Sequence, residues 1–154
     1  MCDRDALADR QPRRPFRDIR TRLPPLLDAL SLESRIGKIA GLKVPEVQQF
    51  LRDLKSGVAA KDSKVICAMV SYPLSTTTSG TLKDMNECRA RYARIFNQKV
   101  VEAIDRQRFE TLFVNYQGVM IGRGEIWISG VCRDKKCERG YNLRIIRVNL
   151  CDTR

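Results

Sequence analysis

At 154 residues, with 43% hydrophobic and 31% charged side chains, the chain is sized and composed for one globular domain with its own core. Its formal net charge is +11 and it contains no histidine, which removes the commonest general base, the commonest metal ligand and every histidine-containing triad. No apolar run approaches the roughly 20 residues that a membrane-spanning helix needs, so no span is expected.

Residues 1–43 read as a leader that fits poorly with the rest of the chain, disordered or loosely packed. Arg13-Arg14-Pro15 and Pro24-Pro25 interrupt any long helix there. Leu26–Ile39 has some helical periodicity and allows a short helix. From Val44 the pattern is that of a domain, running to residue 151. Pro45-Glu46-Val47 opens a helix, with proline in the first turn and an acid near its positive end. Val47, Phe50, Leu51, Leu54 and Val58 then recur at helical spacing. Val65–Tyr72 predicts a second short helix ended by Pro73, and Ser75–Leu82 an edge strand or hairpin turning at Gly80. Asp84 and Asn86 are candidate N-caps for a third helix carrying Cys88, Tyr92, Ile95 and Phe96. Asn97 breaks it, and Val100, Val101 and Ile104 continue on a fourth.

Beyond Thr111 the period shortens. Leu112–Gln117, Val119–Ile121, Glu125–Cys132 and Tyr141–Leu150 are rich in β-branched and aromatic residues, and Gly122-Arg123-Gly124 supplies a hairpin turn. The fold class expected is therefore α+β, with three to four N-terminal helices packed in a curved antiparallel sheet. A sheet curling over helices encloses a cone-shaped cavity, a common place for a ligand.

The positive charge is dispersed rather than gathered in one block. Residues 1–30 hold seven arginines and five aspartates, and the rest is mixed with acids along the chain. No basic motif interleaved with aromatics is present, so specific nucleic-acid binding is not expected. Six cysteines occur, without a CxxC pair, and a zinc ribbon is not expected either. Cys67 and Cys88 fall inside helical patterns and read as small buried thiols. Cys132 and Cys137 have four residues between them, a spacing that suits either a disulfide across a tight turn or two thiols flanking a hairpin tip. Met1–Arg22 lacks the apolar centre of a secretory signal, so the chain as written is expected in the cytoplasm.

Three segments together carry a resemblance: Val70-Ser-Tyr-Pro-Leu74, the helix Tyr92-Ala-Arg-Ile-Phe96, and Asn115-Tyr-Gln-Gly-Val-Met-Ile-Gly122-Arg-Gly-Glu-Ile-Trp127 running into Cys132 and Cys137. The order resembles a group of small exported bacterial proteins with a YPL segment, a YxxIF helix, a QGVMIGxGEIW hairpin and a two-cysteine turn. The resemblance spans about Val47 to Leu150. It implies the cone-shaped α+β roll of the nuclear-transport-factor-two-like (SnoaL-like) superfamily and favours a Cys132–Cys137 disulfide. It also implies periplasmic or secreted localisation, which the leader contradicts. A wrong start, or a frame-shifted export signal, would reconcile the two.

Fold alone does not supply a function. The superfamily's isomerase-type enzymes pair a carboxylate with a Tyr or a protonated acid in an apolar pocket, and this chain offers Glu102, Asp105 or Glu125 with Tyr72, Tyr92 or Tyr116. Each carboxylate sits in a pattern that suits a solvated charge. The candidate cavity residues are Tyr72, Tyr92, Asn115 and Trp127, weighed against core packing and, for Asn115, capping of a neighbouring backbone group. The candidate partner-binding residues are Arg133, Lys135 and Lys136 on the two-cysteine loop, which can enter an acidic cleft by analogy with some lysozyme-inhibitor loops. The leading expectation is a non-enzymatic binding or accessory protein, envelope-associated in bacteria, needing no cofactor. Its partner would be a protein or a small apolar ligand, with a homodimer also allowed. The alternatives are a small-molecule isomerase, hydratase or carrier using the cone, and an electrostatic binder of nucleic acid.

Overall fold

A computed structural model describes residues 30–150 other than Thr78. Most of the leader, together with Cys2 and Cys151, lies outside the described residues. Packing begins upstream of Val44: Ser31 caps the short helix α1 (Leu32–Ser34), which runs into a π-helical turn, Arg35–Ile39. Ile36 and Leu42 from this region are buried in the core.

Helix α2 (Val44–Ala59) buries Val47, Phe50, Leu51, Leu54 and Val58, the five residues whose spacing predicts it. Helix α3 (Ser63–Ala68) is capped by Asp62, whose carboxylate accepts from Val65 N at 3.1 Å. It ends earlier than expected. Val70–Thr76 is strand β1, paired antiparallel with β2 (Gly80–Leu82). Pro73 therefore lies inside a strand rather than at a helix end. The β1 register against its other neighbour shifts between Val70 and Ser75, where a residue without an N–H can sit without breaking the ladder.

Asp84 takes the cap of α4 (Met85–Ala90), accepting from Glu87 N at 2.9 Å, while the Glu87 carboxylate accepts from Lys83 N. A single turn α5 (Tyr92–Ile95) comes next. Asn97 caps α6 (Gln98–Arg106), accepting from Val100 N at 3.1 Å. A 3-10 turn (Phe109–Thr111) leads to β3 (Phe113–Asn115), β4 (Gly118–Ile121), β5 (Ile126–Cys132) and β6 (Tyr141–Val148).

The fold class is α+β, as the change of period predicts. The six strands form one sheet in the order β2-β1-β6-β5-β4-β3. The expected antiparallel pattern holds for every pair except β1 and β6, which run parallel. The reason is topological: α4 to α6 and a whole meander intervene before β6 returns beside β1.

Each long strand turns one side toward the helices, β6 by way of a bulge at Ile146 that puts Ile145 and Val148 on the same side. Leu74, Leu82, Val119, Ile121, Ile126, Ile145 and Val148 are fully buried on this inner face. Against them pack Leu54, Ile66, Ile95, Val100 and Ile104 of the helices, also sealed from solvent. Each such side chain contributes about 1.5–3 kcal/mol by leaving water.

Two disulfides tie the described chain. Cys132–Cys137 closes the β5–β6 loop, as the resemblance favours. Cys67–Cys88 is a correction: these residues are not separate thiols but a fully buried bond joining α3 to α4. Both do lie in helices, as their surroundings predict. What one-dimensional periodicity lacks is the packing of those two helices, which brings the Cα atoms to 5.9 Å.

Candidate functional site

The four residues predicted to line a cone cavity do not all face the interior, since Trp127 is turned away from it. Tyr72 is half-buried and its hydroxyl donates to the Cys67 carbonyl at 2.7 Å, beside the buried disulfide. Burial, and then the Asp84 charge, push its phenol up to about 12. Tyr92 stacks on Phe96 at 5.2 Å between ring centres; burial, followed by Asp62, raises its phenol as well. Asn115 accepts from Gln117 N at 2.8 Å and caps the β3–β4 turn, which is its structural reading. Trp127 lies on the opposite face of β5 from the buried Ile126 and Ile128. The interior between sheet and helices is occupied by the aliphatic side chains named above.

The phenol of Tyr72 gives a direct test. Its folded-state value exceeds the ordinary 10.0, so the stability linked to it is complete below pH 10 and is lost as pH rises through about 12. Ultraviolet titration is expected to show a late-ionising tyrosine that disappears in Tyr72→Phe. The substitution should also flatten the alkaline loss of stability.

Of the carboxylates considered as bases, Glu102 and Glu125 have local partners and Asp105 is exposed. Glu102 accepts from Gln98 Nε2 and pairs with Arg106 at 4.0 Å on the exposed side of α6. Asp105 is exposed one turn along. Glu125 accepts from Arg123 N within the β4–β5 turn. A cleft of about 440 Å³ opens between α2, α3 and β6, lined by Phe50, Asp53, Asp62, Met69 and Arg144. Asp53 accepts from Gln49 Nε2 at 2.8 Å, and Asp62 is the α3 cap, so both acids already have local partners. None of the predicted cavity residues lines this cleft.

The two-cysteine loop is more ordered than its sequence implies. Arg133 N donates to Gly140 O at 3.0 Å at its base, and the disulfide brings the Cys132 and Cys137 Cα atoms to 4.8 Å. Asp134 turns inward: its carboxylate accepts from the backbone N–H groups of Lys136, Glu138 and Arg139 at 2.9–3.1 Å. The acid that interrupts the basic cluster in sequence is thus consumed in holding the loop. Arg133, Lys135 and Lys136 remain exposed, with Arg133 steadied by a 3.0 Å bond to Asn142 Oδ1. Ion pairs between described residues join Lys43 to Glu46, Glu102 to Arg106 and Arg108 to Glu110, and none includes a loop cation.

The polar residues buried as a whole among the described ones are Gln107 and Asn149, and both hold the β4–β5 turn. Gln107 Oε1 accepts from Gly122 N at 2.8 Å on one side. On the other, Asn149 Nδ2 donates to Gly124 O at 2.7 Å and Asn149 N donates to Glu125 O at 2.8 Å. Gly122 and Gly124 both have positive φ, which accounts for the glycine-rich sequence of this hairpin. The turn is anchored from both flanks. That is the structural meaning of its motif.

Sequence reasoning missed the surface beside this turn. Phe113, Met120, Trp127 and Arg147 stand opposite one another across β3, β4, β5 and β6, on the face turned away from the helices. Phe113 is 48% exposed and meets the Trp127 ring edge-on at 6.5 Å. Alternation along β3–β5 was the available signal, but a bulge interrupts it in β6 and parity alone does not say which face the helices cover. No family model, curated protein or solved structure matches the chain.

Proposed function

We propose that this is a non-catalytic binding protein that presents the Cys132–Cys137 loop to an acidic cleft of a protein partner. The observation that carries the reading is the inward-turned Asp134, which rigidifies the loop and leaves Arg133, Lys135 and Lys136 pointing to solvent on a pinned frame. A preorganised cationic loop binds with less ordering cost than a free one, and charge complementarity sets its choice of partner. The two disulfides among the described residues support an oxidising, envelope-side location. The placement of helices on one face of a six-stranded sheet supports the resemblance to the nuclear-transport-factor-two-like roll.

The experiment compares binding of a short polyglutamate peptide to the oxidised protein and to two variants. Lys135→Glu/Lys136→Glu is expected to weaken binding at least tenfold, about 1.4 kcal/mol or more. Cys132→Ser/Cys137→Ser keeps every charge but opens the loop, and is expected to weaken binding several-fold. Equal affinity of the opened loop would refute a preorganised site and leave only bulk charge.

A further inference from the structure

We propose that the outer face of the sheet is a second interaction surface. Its partner would be an acidic protein that covers Trp127 with apolar side chains and meets Arg147 with carboxylates. The inference is independent of the loop reading and rests on a different part of the molecule.

The pairing registers place one residue from each strand in a continuous row: Thr81, Ser75, Arg147, Trp127, Met120 and Phe113. At about 4.8 Å per strand the row runs roughly 24 Å across the sheet. Its aromatic half carries the residue types that anchor protein interfaces, an aromatic pair, a methionine and an arginine, side by side. The support beneath is rigid, because the adjacent residues of the same strands seal the core and the neighbouring turn is held by Gln107 and Asn149. Gly124 of that turn lies against Met120 and Trp127: a Cβ there would stand 3.7 Å from the Met120 sulfur and 3.9 Å from Trp127 Nε1. Turn and row thus form one surface.

Charge selects the occupant. None of the six strands contains an aspartate, glutamate or lysine, and their charged residues are Arg144 and Arg147. A second copy would bring another Arg147 and another +11 to the same face. The first 30 residues of the chain carry seven arginines and five aspartates, so they too lack the counter-charge. An acidic partner supplies it. The loop stands apart from this site: Trp127 and Cys132 are five residues apart along β5, roughly 17 Å, so variants at the two places report separately.

Trp127 is the sole tryptophan, and its emission therefore reads occupancy of this face. The test pans a phage-displayed random peptide library on the full-length oxidised protein, then titrates a synthetic copy of the enriched peptide against Trp127 fluorescence. Enriched peptides are expected to combine Asp or Glu with Leu, Phe or Tyr and to shift the emission to the blue. Arg147→Glu and Phe113→Ser should each weaken that binding about tenfold, while Lys135→Glu/Lys136→Glu leaves it within about twofold. Arg147 is exposed, so its variant is expected to keep the parent's melting temperature, and this separates lost binding from lost folding. Four results would overturn the proposal: a selection that enriches nothing or no acids, affinity unchanged by Arg147→Glu, a blue shift that grows with protein concentration alone as a dimer sediments, and duplex DNA that binds this face with the same dependence on Arg147.

Discussion

Gly118→Ala is expected to cost about 4 kcal/mol of stability, a large share of the 5–15 kcal/mol that holds a typical domain. Gly118 opens β4 with φ at +137°, a conformation that side chains with a Cβ rarely adopt. A Cβ built there would stand 2.1 Å from the carbonyl oxygen of Ile128 on the neighbouring strand. Backbone strain of this kind costs about 1–3 kcal/mol, and displacing packed structure costs a similar amount again. The obstructing atom belongs to the backbone, so truncating a nearby side chain offers no relief. Urea denaturation of Gly118→Ala, alone and combined with Ser129→Gly, which removes the Cβ standing 3.1 Å away, checks this. Loss below about 1 kcal/mol, or rescue by the second change, would show that β4 and β5 can separate more easily than their packing implies.

Removing the Cys67–Cys88 bond by a Cys67→Ala/Cys88→Ala double substitution should cost about 3 kcal/mol, or roughly 10 °C in melting temperature. The bond closes 21 residues of chain, and cross-linking a loop of that length removes about that much entropy from the unfolded state. It also fastens α3 to α4 across the β1–β2 hairpin, two short helices that would not persist alone. Cys132–Cys137 spans five residues, and its loss should cost less, about 2 kcal/mol. Exposure separates the two bonds further, since Cys67 and Cys88 are fully buried whereas Cys132 and Cys137 lie at the surface. Mild reduction followed by alkylation and peptide mass spectrometry is expected to label Cys132 and Cys137 in the folded protein. Cys67 and Cys88 should be labelled only after denaturant is added. Simultaneous labelling under native conditions would contradict the burial of the α3–α4 bond.

Local chemistry is readable wherever cause and effect lie within a few residues. The apolar stripe of α2 lies on one helix, so spacing alone identifies its buried face. Asp84 caps the helix it immediately precedes, and Cys132 reaches Cys137 across one turn. Asn97 breaks one helix and caps the next, the same local property seen from two sides. The boundary between α3 and β1 is not readable in this way. Val65–Tyr72 is apolar nearly throughout, and a short apolar run serves a helix or a strand equally well. What decides it is the pairing of Val70 with Ile145, which no window around Val70 contains.

The same distinction divides the candidate sites. The basic loop is legible because its cations and its disulfide are neighbours in the chain, although only folding shows that Asp134 spends its charge on the loop's own amides. Composition and periodicity alone established an α+β chain, its helix faces and the change to strand-forming segments after Thr111. Tertiary structure decided which parity of those strands meets the helices, that Cys67 meets Cys88, and that Trp127 faces outward beside Phe113 and Arg147. The physical reason is that alternation defines two equivalent faces, and only the docking of α2 and α6 on one of them makes it the interior.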